Sequence, residues 1–257
     1  MIITTAGRTN DEMIQKAENI AIELNSSYKP RKKLSVQNFQ TIYNDDFIVV
    51  GKERLELFPN HEIEPFFFHP NSAMFRIKRL QKNEHDPFLE AAKLEKGMSL
   101  LDCTLGLASD SIVASFAVGN KGKVLGTEGN KFLAYIVKTG LSQWDSGVNE
   151  INEAMSRIEV LSQTSLKVLK DLKDESFDCV YFDPMFEESI LESDGIRALT
   201  KFALYESLTK ETIKEALRVA KYRVVLKDHF RSPRFEEHGF QAIKRKSAKF
   251  HFGTIEK

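Results

Sequence analysis

The stretch that decides the fold is Met98-Ser-Leu-Leu-Asp-Cys-Thr-Leu-Gly-Leu-Ala-Ser-Asp110. Its apolar run ends in Asp102, a turn of small residues follows around Gly106, and an amphipathic segment begins near Ser109. The pattern predicts a strand, a tight turn and a helix, which bring backbone N–H groups and a helix N-terminus to the carboxyl end of a strand. Open α/β sheets bind nucleotide-like ligands at that edge. Taken alone, the stretch also fits a structural turn in which glycine relieves backbone crowding.

The residues around this turn narrow the ligand class. Asp102-x-Thr104-x-Gly106 lacks the three-glycine dinucleotide fingerprint, which disfavours a ligand bound through pyrophosphate. S-adenosylmethionine has no phosphate and is therefore favoured. Glu128 ends the next strand, about 20 positions after the glycine turn, where an acidic residue accepts hydrogen bonds from a ribose diol. Its alternative role is to cap the helix that begins after Asn130.

From residue 98 onward, strands and helices alternate. The strands are predicted at 99–102, 123–127, 157–161, 177–182 and 222–227, and the helices at 109–118, 131–144, 164–171 and 208–220. Such alternation is typical of a mostly parallel sheet. Two terminal strands, at 240–243 and 248–255, have no helix between them and predict an antiparallel hairpin. The predicted fold class is therefore α/β, a Rossmann-like sheet of the class I methyltransferase type.

The first 97 residues predict two smaller units. Residues 1–70 indicate a small α/β domain, with strands at 2–5, 47–50, 54–58 and 64–69, a helix after Thr9 and a short helix over 36–43. Residues 71–97 predict a basic helical bridge that presents Arg76, Lys78 and Arg79, and residues 98–257 then form the methyltransferase domain. This helix and the basic loop 29–33 either contact a polynucleotide backbone or are solvated surface.

The composition is that of an ordinary globular protein. The 257 residues carry 42% hydrophobic side chains, and 37 basic residues balance 37 acidic ones. This neutrality disfavours a broad nucleic-acid-binding surface and leaves room for a local basic patch. Cys103 and Cys179 lie in apolar runs without metal-type spacing, which favours reduced thiols. The same spacing predicts no metal site. The sequence has no signal segment and no apolar run of about 18 residues, and it therefore predicts a cytoplasmic protein.

The sharpest chemical signal is Phe177-Asp-Cys-Val-Tyr-Phe-Asp-Pro-Met-Phe186. Its apolar strand ends in Asp183-Pro184, so a carboxylate and a rigid turn emerge at the same edge as Asp102. Asp183 and the carbonyl of Pro184 would accept the two N–H groups of an exocyclic amine, and Phe186 would stack on the base. Catalysis would then consist largely of positioning. The alternative is that Asp183 caps a turn while Phe186 packs in the core.

These motifs carry a family resemblance. The sequence from about residue 98 to the end resembles class I S-adenosylmethionine-dependent methyltransferases, and specifically the bacterial small-subunit rRNA guanine-N2 methyltransferases with the Asp-Pro-Met-Phe motif. The similarity comprises Asp102-x-Thr104-x-Gly106-Leu107-x-x-Asp110, Glu128, Thr164-Ser165, the motif at 183–186, Val224-Val-Leu-Lys227 and Gly253-Thr254.

The resemblance implies S-adenosyl-L-methionine as the cofactor and RNA as the partner, specifically rRNA or a small ribosomal subunit particle. It implies that the cofactor pocket is lined by Ser109, Asp110, Glu128, Gly129, Thr164, Ser165 and Asp183, beside Asp102, Thr104 and Gly106 of the turn. The chain departs from the family at Ala108-Ser109 and Glu128-Gly129, where an arginine is usual in each pair. These departures bear on the substrate and leave the predicted fold intact.

Several alternatives remain open at the level of sequence. The acceptor could be a DNA base, a protein glutamine or a small molecule, or the chain could be a non-catalytic RNA-binding or ribosome assembly factor. A nicotinamide oxidoreductase is disfavoured by the missing glycine fingerprint. Lys227 and Arg231 are candidates for contacts with a substrate phosphate, and His229 is a weak candidate for a proton acceptor. Residues 187–194, which are acidic, are a candidate mobile lid.

Overall fold

A small sheet forms the first part of the chain. The computed structural model describes residues 1–184, 202, 208–245 and 248–257. The small sheet has the order β2-β1-β3-β4. Its strands are β1 (Ile2–Thr5), β2 (Ser27–Tyr28), β3 (Phe47–Val50) and β4 (Leu55–Phe58). β1 lies parallel to β2 and β3, whereas β4 is antiparallel to β3.

The helices of this first part begin at polar caps. α1 (Asp11–Glu23) begins where the Asn10 side chain accepts a hydrogen bond from the Met13 N–H, and α2 (Val36–Tyr43) begins in the same way at Ser35. Such caps satisfy N–H groups that have no partner within the helix. Two further helices follow, α3 (Asn71–Leu80) and α4 (Pro87–Ala92). They lead into the large sheet.

The large sheet has seven strands in the order β10-β11-β9-β8-β5-β6-β7. They are β5 (Ser99–Asp102), β6 (Lys123–Thr127), β7 (Ile158–Leu161), β8 (Phe177–Phe182), β9 (Ala220–His229), β10 (Gln241–Ile243) and β11 (Phe250–Glu256). β5 to β9 are mutually parallel, and β11 is antiparallel to both β9 and β10. This confirms the predicted Rossmann-like sheet with an antiparallel C-terminal hairpin.

Helices connect these strands. They are α5 (Ser109–Val118), α6 (Lys131–Gln143), α7 (Asn149–Ser156), α8 (Ser165–Asp171), α9 (Lys210–Val219) and α10 (Arg234–Glu237). The helices predicted over 109–118, 131–144, 164–171 and 208–220 match α5, α6, α8 and α9 to within two residues at each end. Among the described helices, none is both long and apolar enough to cross a bilayer.

The predicted strand at 64–69 is wrong. In this segment only Phe66 pairs with the small sheet, through an isolated antiparallel bridge to Leu57. Pro65 has no N–H to donate and Pro70 follows directly, so a longer ladder cannot form. Instead, Phe66 and Phe68 are buried as core side chains.

The two sheets share a core. One apolar cluster contains Ile3 and Ile48 of the small sheet together with Leu100, Ile112 and Leu133 of the large sheet and its helices. The division of the chain at residues 70 and 97 stays a prediction. Because β5 to β9 are parallel, their carboxyl ends all lie at one edge of the large sheet.

Candidate active site

The carboxyl ends of three adjacent strands, β8, β5 and β6, bring together the acidic residues singled out in the sequence. Asp102 is the last residue of β5, Glu128 directly follows β6 and Asp183 directly follows β8. Because β5 lies between β6 and β8, the three carboxylates share one edge. This is the edge at which open α/β sheets bind their ligands.

Asp102 serves the turn that follows it. Its carboxylate accepts hydrogen bonds from the Ser111 hydroxyl at 2.7 Å and from the Thr104 N–H at 3.0 Å. Only 1% of the residue is exposed. Burial raises the pKa of Asp102 to about 7, against the lowering effect of these two hydrogen bonds. Asp102 therefore fixes the start of α5 relative to β5.

The turn itself depends on two small residues with positive φ. Gly106 has φ +49°, and Ala108, directly before α5, has φ +59°. A Cβ at Gly106 would meet only the Thr104 carbonyl oxygen, at 3.9 Å. Steric crowding therefore does not require a glycine at this position. The left-handed backbone conformation does, because glycine adopts it without strain.

Glu128 and Gly129 lead into α6. Glu128 accepts a hydrogen bond from the Asn130 N–H at 2.9 Å, and Asn130 caps the helix through the N–H groups of Phe132 and Leu133. The Asn130 side chain thus takes the capping role that the sequence left open for Glu128. Glu128 is partly exposed at the strand end.

Thr164 and Ser165 lie at the beginning of α8, after the outermost strand β7. Thr164 is exposed and its side chain makes no capping hydrogen bond, whereas Ser165 is buried. The structure therefore brings them to the same edge, two strands away from β5. Their role in a cofactor pocket stays a prediction.

Asp110 is the centre of a buried ionic network. One of its oxygens accepts from Arg76 at 2.5 Å, and the other accepts from the Tyr181 hydroxyl at 2.9 Å and from Lys227 at 3.3 Å. Burial alone would raise the pKa of Asp110, but Lys227 and Arg76 overcome that effect and hold it well below its usual value. Asp110 is therefore a carboxylate whose partners are other protein groups.

Arg76 was predicted to present its charge at the surface, and that prediction is wrong. Its guanidinium binds both oxygens of Asp86, at 2.7 and 2.8 Å, besides Asp110. Only 19% of the side chain is exposed. Asp86 in turn caps α4. A helix that the sequence marked as basic surface thus contributes its first arginine to the interior of the site.

Lys227 connects Asp110 to Asp183. Its ammonium lies 2.6 Å from one Asp183 oxygen, Oδ2, and 3.3 Å from Asp110. Burial would lower the pKa of Lys227, but the two carboxylates raise it above its ordinary value. An ammonium shared by two carboxylates is already neutralised. This arrangement does not support the predicted contact between Lys227 and a substrate phosphate.

Asp183 has one oxygen committed and one without a partner. Its backbone N–H donates to the Thr104 hydroxyl at 2.5 Å, which ties the end of β8 to the turn after β5. Its second oxygen, Oδ1, is buried and accepts no hydrogen bond from any residue that the structure describes. Burial raises the pKa of Asp183, and the nearby charge of Lys227 opposes that rise. Pro184, which follows, is buried.

Some predicted residues fall outside the part of the chain that the structure describes. These are Phe186, the expected stacking residue, and the candidate lid at 187–194. In contrast, sequence reasoning missed Tyr181 and Asp86. A tyrosine in an otherwise apolar strand was one available signal, because a buried hydroxyl needs a partner. Within the described residues, no three His, Cys, Asp or Glu side chains form a group that could hold a metal ion.

The fold and the site together define a Rossmann-like methyltransferase. The chain belongs to the family described as "Putative SAM-dependent methyltransferase", whose sequence model matches residues 31–252. A SAM-dependent methyltransferase from Neisseria gonorrhoeae has the same fold, with a TM-score of 0.65 at 16% identity over 100% of this chain and 96% of that one.

Two relatives extend the comparison. The Bacillus subtilis protein YpiP, described as uncharacterized, is 47% identical over 255 residues, 99% of either chain. Ribosomal RNA small subunit methyltransferase J of Legionella pneumophila is 27% identical over 232 residues, 88% of this chain and 86% of the relative.

S-adenosyl-L-methionine is the cofactor that this family and fold imply, and the residues present fit it. A Cβ at Gly106 would meet only the Thr104 carbonyl oxygen, at 3.9 Å, and the partly exposed Glu128 is suited to a ribose diol. The buried Thr127 hydroxyl beside it lacks a hydrogen-bond partner. The turn at 103–108 contains no lysine or arginine that could bind a pyrophosphate. A sulfonium cofactor without phosphate matches that chemistry.

Proposed function

We propose that this methyltransferase acts on an exocyclic amino group of a nucleobase, specifically guanine N2 in small-subunit rRNA. The observation that carries the proposal is the Asp183 carboxylate, with one oxygen held by Lys227 and the other buried without a partner. A buried acceptor without a donor costs about 1–3 kcal/mol, so the site favours a ligand that brings an N–H to it. An exocyclic amine is such a ligand.

The residues of the chain orient the amine. Asp183 Oδ1 accepts one amine N–H and the carbonyl of Pro184 accepts the other, which directs the nitrogen lone pair away from both. S-adenosylmethionine supplies an electrophilic methyl group on its sulfonium sulfur. Conjugation with the base delocalises the lone pair of this nitrogen, and the two hydrogen bonds favour the pyramidal geometry in which the lone pair can attack, so positioning accounts for most of the barrier reduction. The surplus proton leaves to water after transfer.

Lys227 keeps the oxygen of Asp183 an acceptor. Burial raises the pKa of Asp183, and a protonated carboxyl group would present a donor to the amine. The ammonium 2.6 Å away favours the ionised form. Lys227 is therefore a positioning residue that acts through Asp183.

The relatives support RNA as the acceptor class. Ribosomal RNA small subunit methyltransferase J matches 88% of this chain, and its name states an rRNA substrate. Nucleobases with an exocyclic amine also occur in DNA, so the choice of RNA rests on this relative. The sequence also predicts that Phe186, which lies outside the described residues, stacks on the base.

A labelled-cofactor assay tests the proposal. The purified protein is incubated with methyl-labelled S-adenosylmethionine and small ribosomal subunits or total RNA from cells lacking it, and nucleosides are then analysed by mass spectrometry. We expect N2-methylguanosine with the wild type. For Asp183→Ala we expect at least a hundredfold slower formation, with cofactor affinity within about threefold, because a hydrogen-bonded charged group is lost from the acceptor side alone.

Asp171→Ala is the matched control, since it removes an exposed aspartate at the end of α8. It should methylate at the wild-type rate. Label in DNA, protein or a small molecule instead of RNA would refute the proposed acceptor. Turnover by Asp183→Ala equal to that of Asp171→Ala would refute the role of Asp183.

A further inference from the structure

We infer that the turns after β9 and between β10 and β11 form a docking surface for single-stranded RNA beside the acceptor site. We call it the basic edge and define it by Phe230, Arg231, Lys244 and Arg245. The inference rests on the proposed function and adds to it the place where the RNA backbone lies. Three observations carry it: the register of the sheet, the local charge, and the exposed aromatic ring.

The sheet register places both turns at the ligand-binding edge. Phe250 of β11 pairs with His229 at the carboxyl end of β9, and Ile243 at the end of β10 pairs with Phe252. The backbone N–H of Phe230 also bonds to the Lys249 carbonyl at 3.0 Å, which joins the two turns. Both turns therefore lie on the same side of the sheet as Asp183.

The distance suits neighbouring nucleotides. β9 is adjacent to β8, and β11 and β10 follow it in order. Neighbouring strands lie about 4.8 Å apart, so the basic edge begins one strand from Asp183 and extends about 10–15 Å from it. The cofactor residues lie in the opposite direction, at β5 and β6. The acceptor strand can thus cross the edge of the sheet without meeting the cofactor pocket.

The charged residues of these turns are all basic. Segments 229–234 and 244–249 contain six lysines and arginines and no acidic residue, in a chain whose total charge is zero. Arg231, Lys244 and Arg245 are exposed and have no carboxylate partner among the described residues. Arg234 is different, because it binds the buried Asp228 at 3.0 Å. Three cations are therefore available to phosphate groups.

An exposed aromatic ring distinguishes this surface from a simple basic patch. Phe230 is 44% exposed, and its ring centre lies 5.0 Å from the Arg231 guanidinium and 4.6 Å from the His229 ring. An aromatic ring framed by a guanidinium is a platform on which a base can stack. An acidic polypeptide would use the cations alone. The ring therefore favours nucleic acid with unpaired bases.

The test measures RNA affinity of the full chain without a methyl donor. An in-vitro transcript of small-subunit rRNA is titrated by filter binding at several salt concentrations. The variant Arg231→Glu/Lys244→Glu/Arg245→Glu is compared with Lys96→Glu/Lys121→Glu/Lys173→Glu. The second variant changes the same charge at three exposed lysines that precede β5, β6 and β8, at the opposite edge.

We expect the first variant to bind at least tenfold more weakly, and its salt slope to fall by about 2, since each single-strand phosphate contact contributes about 0.7. Phe230→Ala should weaken binding about tenfold with the salt slope unchanged. Circular dichroism and thermal melting verify that each variant is folded. Equal affinities of the two triple variants would overturn the inference, as would displacement of the RNA by poly-glutamate at equal charge concentration.

The outcome is separable from that of the proposed function. RNA that binds through the basic edge but gains no methyl group would refute the proposed function and uphold the docking surface. If the first triple variant formed N2-methylguanosine with the wild-type KM, the docking surface would be refuted and the proposed function upheld.

Discussion

At the scale of single residues, the ion network has a consequence for stability. Lys227→Met would leave Asp183 as a buried carboxylate without its cation, which costs about 3–5 kcal/mol. Adding Asp183→Asn removes that charge, so the double variant should be more stable than Lys227→Met alone. Urea denaturation measures both free energies of unfolding.

The control for this cycle is Lys221→Met on the same strand. Lys221 lies 3.8 Å from Asp178 at an exposed position, and exposed pairs contribute little. We expect stability close to that of the wild type. If the Lys227 and Asp183 substitutions were additive, the two side chains would not be coupled.

Asp102 makes the protein less stable as pH rises, whereas a salt-bridged carboxylate makes a protein more stable as pH rises. Its pKa is about 7 in the folded protein against the ordinary 3.8, so between these values the folded state binds more protons than the unfolded state. The free energy of unfolding therefore falls as pH rises from about 4 to about 7, by on the order of 4 kcal/mol from this group.

Asp102→Asn should abolish that dependence. Urea denaturation across this range measures the unfolding free energies of both proteins. As pH rises, the wild type should lose stability relative to the variant. Parallel stability curves for the two proteins would show that the pKa of Asp102 is not raised.

At the scale of elements, the turn after β5 packs against strand β6. A Cβ at Gly126 would lie 2.3 Å from Leu105 Cδ1 and 3.1 Å from its Cγ, and Leu105 is buried. Gly126→Ala must therefore displace the buried Leu105 side chain of this turn, at a cost of about 1–3 kcal/mol. We expect weaker S-adenosylmethionine binding, measured by calorimetry.

Two further variants define this effect. Gly7→Ala introduces a methyl group with nothing within 4 Å and should leave cofactor affinity unchanged. Adding Leu105→Ala to Gly126→Ala makes room for the new Cβ. If the single and double variants bound the cofactor equally weakly, the contact with Leu105 would not be the cause.

The strands of the large sheet could be predicted because they are buried. The centres of the runs at 99–102, 123–127 and 177–182 are apolar and buried, as in parallel strands covered on both faces. The two-residue strand β2 is too short to give such a signal, whereas the helix α7 has a short amphipathic pattern, with Ile151, Ala154 and Met155 buried on one face, that the sequence reasoning missed. At 64–69, aromatic residues suggested a strand, but they pack as core side chains around Pro65, and hydrophobicity alone does not distinguish the two.

The site could be predicted only where a residue ends a strand. Asp102, Glu128 and Asp183 follow apolar runs directly, so the topology alone brings them together. Arg76 and Asp110 are separated by 34 positions, and no local pattern pairs them. One signal was present: Arg76 lies three residues after the buried Ala73 and next to the buried Ile77, which places it at the border of the buried helix face.

At the scale of the whole molecule, the two sheets meet at α6. Phe68, which follows the small sheet, is 3% exposed, and a Cβ on Gly140 would lie only 2.2 and 2.3 Å from two of its ring carbons. Trp144, just after α6, packs against Phe68 with ring centres 6.1 Å apart. Lys131 of the same helix donates to the Leu24 carbonyl. A core shared in this way links the stability of the two sheets.

The chain should therefore unfold in a single transition. Trp144 is the one tryptophan of the sequence and lies at the contact between the sheets, so its fluorescence reports that contact while far-ultraviolet circular dichroism reports all helices and strands. We expect both urea transitions to coincide. Phe68→Ala should shift both together by about 3–5 kcal/mol, because it leaves a cavity in the common core. A fluorescence transition that precedes the circular dichroism transition would instead mean that residues 1–70 form a separately stable domain.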